Sequence, residues 1–181
     1  MPQTRASKTP DAGPSSALSA TLRLWLAPTR LRQAALAGFG GFLTIFCLAS
    51  LTVHLDRLLL IAPFGASCVL VFALPDSPLA QPRNVVGGHL IATAVGLASL
   101  ALFGNGPFAL AAGVGLAISA MALTKTLHPP AGADPIVVIL AGASWSFLFA
   151  PVLVGAAFIT LMARAYRGAP FRLEKLIKPM R

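Results

Sequence analysis

Charge is what this 181-residue sequence has least of: Asp, Glu, Lys and Arg make up 10% of it, and only five residues are acidic. An ordinary soluble domain carries about 25% charged residues, so that class is excluded. With 56% apolar residues and a mean hydropathy of +0.80, a disordered chain is excluded too. The marks of enzyme and metal chemistry are also missing. The two cysteines, Cys47 and Cys68, sit in apolar runs, where a free thiol behaves as a small hydrophobe, and no disulfide is expected. There is no Cys/His ligand spacing and no Gly-x-Ser-x-Gly elbow. A carboxylate pair is lacking as well, since Asp76 and Asp134 lie in different halves. No enzyme activity, metal or cofactor is therefore expected. Residues 1–20 lack an apolar run with a small-residue cleavage site, so no signal peptide is expected.

The fourteen basic residues give a net charge of +9 and a pI of about 11.2, which would suit a nucleic-acid partner. Their distribution excludes one. Arg5, Lys8, Arg23, Arg30 and Arg32 cluster at one end, and Arg164, Arg167, Arg172, Lys175, Lys178 and Arg181 at the other. Between them, Arg57, Arg83 and Lys125 balance Asp56, Asp76 and Asp134. A neutral apolar body between two basic ends is the pattern of an integral membrane protein, with the lipid bilayer as its main partner.

Along the chain, residues 1–17 are rich in Pro, Ser, Thr and Ala and read as a disordered tail. Residues 18–32 form a basic interfacial segment with Trp25 at the headgroups. The transmembrane domain then covers 33–165, with a basic cytoplasmic tail over 166–181. Four full spans are expected, at Gln33–Val53, Asn84–Phe103, Phe108–Thr124 and Phe147–Ala165. Two further apolar segments are broken, one at Pro63 and Gly65, the other over His128–Pro135. Six crossings with both termini cytoplasmic keep Arg83, Lys125 and both tails inside, with only Arg57 against the rule. If the broken segments only re-enter, four crossings remain and Arg83 and Lys125 fall outside, so the positive-inside rule favours six.

The chain also resembles itself. At an offset of 67 residues, Pro63 falls on Pro130, Gly65 on Gly132, Ala66 on Ala133, Val71 on Val138, Ser77 on Ser144 and Gly88 on Gly155. Span, broken segment, span thus occurs twice, over about 33–103 and 108–165. The expected fold is an all-α membrane protein of two inverted three-segment repeats. Paired Gly/Pro-interrupted segments in two halves point to a transporter's midplane site. Asp134-Pro135 reads as an N-cap followed by proline at the first helical position. Short helices are therefore expected from Cys68 and Pro135, each preceded by extended Pro-x-Gly-Ala.

His128-Pro129-Pro130, together with Ala62–Ser67 and Ser77–His89, resembles the HPP family of integral membrane proteins over roughly residues 33–165. That resemblance implies four transmembrane helices, where the segment count here is six, and for plastid and cyanobacterial-type members nitrite transport. The sequence carries neither a plastid transit peptide nor the CBS domains of some bacterial members, so nucleotide regulation is not expected. A bacterial cytoplasmic membrane is the expected location.

The expected function is transport or channelling of a small anion such as nitrite, with proton coupling. Its binding residues would be Pro63, Gly65, Ala66, Ser67, His128, Pro130, Gly132, Ala133 and Asp134. Two opposed helix N-termini offer about +0.5 charge each, together matching a monoanion. Asp134, His128 and His89 are the candidate proton carriers. Each has a plainer reading: Asp134 as an N-cap, His128 bonding unwound backbone, His89 bonding a neighbouring helix. Arg83 and Asn84 flank a span start as vestibule residues, Arg83 being most simply a snorkelling anchor. Gly87, Gly88, Ala92 and Gly96 make a small-residue ridge, as do Ala111, Gly115 and Ser119. Both are read as packing within the subunit, with a homodimer contact as the alternative. The competing functions are a cation- or proton-driven carrier of another solute and a membrane scaffold without a site.

Overall fold

A computed structural model describes residues 28–177. The expected tail 1–17, most of the interfacial segment with Trp25, and residues 178–181 lie outside the described residues. Contacts divide the chain into Met1–Ala35 and Leu36–Arg181. The described part of the first unit, from Pro28, is helical, and the site discussed below lies wholly in the second.

Proline sets where the helices begin. α1 (Pro28–Leu55), α2 (Pro63–Ala73), α3 (Pro82–Phe103) and α4 (Pro107–Leu123) all open on one. α5 (Asp134–Leu140) carries Pro135 as its second residue, and α6 is Val154–Ile177. Proline loses no hydrogen bond at a first helical position, because an N–H there would have no helical partner. α3 ends where Gly104 takes φ 73 and donates its N–H to the Leu100 carbonyl, a left-handed cap that suits glycine.

Three stretches are long and apolar enough to cross a membrane, Thr29–Leu55, Pro82–Phe103 and Trp145–Gly168, where the sequence led to four. α4 has 17 residues, about 26 Å at 1.5 Å per residue, at the short limit for a roughly 30 Å core. Pro107 stops it at one end, and Lys125, at φ 56, turns the chain out of it at the other. The last span is not uniform either. A 3₁₀ turn (Trp145–Leu148) and a π-helical turn containing an extended Ala150 precede α6.

The broken segments also differ from expectation. Pro63–Ala66 is the first turn of α2 and not extended, because Pro63 is already set for a helix start. Phe64 and Gly65 donate their N–H groups to the Ile61 and Ala62 carbonyls. Pro129–Ala133 is a 3₁₀ turn leading directly into α5, so helices start at Pro63 and Asp134 and not at Cys68 and Pro135. Short helix, 3₁₀ turn after a serine N-cap, and long helix follow one another at Pro63, Ser77 and Pro82, and again at Asp134, Ser144 and Val154.

α3 is the central element, packed against α4, α5, α6 and the 129–133 turn. Its glycines permit this closeness. A methyl on Gly88 would lie 2.7 Å from the His128 Cβ, and one on Gly96 2.6 Å from the Pro135 Cα. The second expected ridge is misplaced by two residues. Ala111, Gly115 and Ser119 are exposed, while Ala109, Gly113, Ala117 and Met121 face inward. Leu48, Phe64, Val71, Val85, Val152 and Ile159 fill the core shared by α1, α2, α3, the 149–153 turn and α6. α2 runs toward the start of α3, whereas α5 leads to Ala143 and Phe147, which pack with Leu97 and Leu100 near its other end. Large apolar side chains such as Phe39, Phe42 and Phe46 stay exposed on α1, as a lipid-facing surface requires.

Candidate functional site

Between the early turns of α3 and the two short helices lies a cluster of polar side chains in an otherwise apolar interior. Ser67 on α2, His89 and Thr93 on α3, His128 before the 129–133 turn and Asp134 at the start of α5 are all buried. Each is there for a local reason. His89 and Thr93 are one turn apart on one face of α3. His128 precedes two prolines and is forced extended, at φ −137 and ψ 100, which frees its side chain from any helix. Gly88 lets its Cβ come up against α3.

The side chains form one line. Asp134 Oδ2 lies 2.7 Å from His89 Nδ1, and His89 Nε2 lies 2.8 Å from Ser67 Oγ. The same oxygen is 2.9 Å from His128 Nε2, and His128 Nδ1 ends the line 2.8 Å from the Leu79 carbonyl oxygen. Thr93 donates its hydroxyl to Asp134 Oδ2 at 3.3 Å, and Ser67 also lies 3.3 Å from the Pro63 carbonyl. Asp134 Oδ1 is buried without a partner.

Hydrogen-bond chemistry fixes how many protons this line holds. Its four contacts, Asp134–His89, His89–Ser67, Ser67–His128 and His128–Leu79, need one proton each. Two neutral imidazoles bring one each, the hydroxyl brings one and a carboxylate brings none. The line is therefore one proton short unless a further proton is present. With it, three arrangements pair every contact: the proton on Asp134, on His89 as imidazolium, or on His128 as imidazolium. The three differ only in where the protons sit along the line. Without it, two lone pairs must face each other at under 3 Å somewhere along the line. Each of these three arrangements has zero net charge, which suits an apolar surrounding where an isolated charge is costly.

The sequence-selected residues thus divide. Ser67, His89, His128 and Asp134 meet, and Pro63 contributes only its carbonyl. Asp134 does not cap α5, because its carboxyl turns to His89 and Thr93 instead. Gly65 and Ala66 lie exposed on α2, and Gly65 lines an apolar groove with Gly38 and Gly41 of α1. Pro130 and Gly132 are half-buried and Ala133 exposed, outside the line. The N–H groups of Ala131 and Asp134 are bonded to His128 and Ala131 carbonyls, so this stretch is no open cradle. Arg83 and Asn84 brace the 124–127 loop by donating to the Thr124 and Leu127 carbonyls at 3.0 and 2.9 Å. Sequence reasoning missed Thr93, although its four-residue spacing from His89 was visible, and the Leu79 carbonyl, which no pattern announces. Among the described residues no cluster of His, Cys, Asp and Glu could hold a metal ion.

Comparison with known proteins places this arrangement in a family. The HPP transmembrane-region model matches residues 26–172. Two transmembrane proteins of Dictyostelium discoideum are 36% and 37% identical over 137 and 138 residues, each match covering 71% of this chain. The chain spans under half of their length, 44% and 48%. No solved structure matches. The match runs from α1 into α6 and takes in every residue of the buried line, so the chain belongs to the HPP transmembrane family.

Proposed function

We propose that this protein is a proton-coupled membrane transporter of a small inorganic anion, with Asp134, His89, Ser67 and His128 as its proton path. The observation that carries this reading is the buried line itself, which ties both broken segments to α3 and needs one exchangeable proton to be fully paired. Buried ionisable groups are costly in a membrane and are kept where protons or ions move. Nitrite is the anion to test first, as the resemblance to plastid and cyanobacterial-type members implies. The opposite directions of α2 and α5 support two inverted halves, and a cytoplasmic membrane with both termini inside is the matching placement. The order carboxylate, imidazole, hydroxyl also occurs in serine hydrolases. Here a second imidazole takes the other side of a fully buried hydroxyl, which suits passing a proton better than attacking a substrate carbonyl.

The test is nitrite uptake into liposomes holding the purified chain, with and without an imposed proton gradient. Wild type should take up nitrite faster when the outside is more acidic. Asp134→Asn should fold, since its amide can donate to His89 Nδ1 as a protonated Asp134 would, but should lose the acceleration by the gradient. Uptake by Asp134→Asn that still follows the gradient would overturn the proton path.

A further inference from the structure

A second polar feature lies where α3 begins. A cavity of about 180 Å³ is walled by Ala80, Gln81 and Pro82 on one side and by Thr160, Arg164 and Arg167 of α6 on the other. Residues 160, 164 and 167 are spaced to share one face of a helix, so both arginines, exposed on α6, belong to the same wall. Among the described residues neither arginine has an acidic partner within ion-pair distance. The volume equals roughly six waters at about 30 Å³ each, enough for a small hydrated oxyanion and well under a drug-sized pocket. The opening of α3, a 22-residue helix, adds its positive end to the same space. We propose that this cavity is a binding site for a small oxyanion, held by Arg164 and Arg167 through charge-assisted hydrogen bonds.

The site also adjoins the proton path. His128 donates to the carbonyl of Leu79, and the next two residues, Ala80 and Gln81, wall the cavity. The short turn that receives the end of the line is therefore the turn that borders the anion. This assignment to a transported anion rests on the transport reading, but the binding site stands on its own geometry. The same chemistry fits a free anion such as nitrite or the phosphate of an anionic lipid headgroup.

The experiment uses the purified full chain in nanodiscs. In phosphatidylcholine discs at constant ionic strength, sodium nitrite and inorganic phosphate are titrated and binding is followed calorimetrically. In parallel, thermal stability is compared between phosphatidylcholine discs and discs containing phosphatidylglycerol. Arg164→Gln/Arg167→Gln should weaken binding by about tenfold or more, while Arg57→Gln leaves it unchanged. A response to nitrite or phosphate that the double variant loses supports a free-anion site. A response to phosphatidylglycerol alone, lost in the same variant, supports the site with a headgroup as its occupant. No response to any of the three, or a double variant that responds as wild type does, overturns it. Binding without uptake in liposomes leaves the site standing and removes the transport reading.

Discussion

Ser67 is the residue through which the two imidazoles communicate. Its oxygen is within 2.9 Å of both Nε2 atoms, so removing the hydroxyl leaves two buried ring nitrogens without their shared partner. Ser67→Ala should therefore cost about 1–3 kcal/mol and abolish proton-driven uptake, while Ser67→Thr, which keeps the hydroxyl, should restore much of that uptake. Thr93 is a contrast. Its 3.3 Å bond to Asp134 is long, and side-chain hydrogen bonds within membranes average about 0.6 kcal/mol, so Thr93→Val should lower stability only slightly. Thermal unfolding in detergent separates the two: a Ser67→Ala variant as stable as Thr93→Val would mean that the hydroxyl does not bridge the rings.

At the scale of elements, what the sequence revealed was the punctuation. Pro82 and Pro107 border the expected spans and mark helix starts, and Gly104 marks an end, because both residue types act through local backbone geometry that needs no tertiary contact. The state of the broken segments was hidden for the opposite reason. Whether Pro63–Ala66 extends or coils depends on the carbonyls of Ile61 and Ala62 before it, and whether Asp134 caps α5 depends on a histidine 45 residues away. The first glycine ridge was legible and the second was not, since a four-residue spacing on α4 fits several faces and only packing against Pro135 and Ile139 selects Gly113. Packing also ranks the glycines. Gly96→Leu should destabilise by about 1–3 kcal/mol or prevent assembly, because a Cβ there would lie 2.6 Å from the Pro135 Cα. Gly115→Leu, with nothing within 4 Å and an exposed position, should unfold at the wild-type temperature in detergent. Equal loss in both variants would show that Gly96 is not a close contact.

At the scale of the whole transmembrane body, Arg83, Lys125, Arg164 and Arg167 gather on one side, while Arg57, just after α1, is not among them. Arg83 donates to the Thr124 carbonyl next to Lys125, and Arg164 and Arg167 share a cavity with Gln81 and Pro82. The start of α3, the end of α4 and the later turns of α6 thus form a common basic face. The other end of α3 leads into the Gly104–Pro107 turn, and the 145–148 turn lies near it through Phe147 and Leu148, with no Lys or Arg in either turn. An asymmetry of this kind orients a membrane protein with its basic face in the cytoplasm. The line from Asp134 to Leu79 runs within this asymmetry and ends on the basic side, on the turn whose next residues, Ala80 and Gln81, share a cavity with Arg164 and Arg167. Single cysteines at Asn105 and Ser146, introduced after Cys47 and Cys68 are replaced by alanine, should therefore react with an impermeant maleimide from outside intact cells. A cysteine at Lys125 should react only after the membrane is opened. Labelling of Lys125→Cys in intact cells, with Asn105→Cys and Ser146→Cys silent, would invert the orientation.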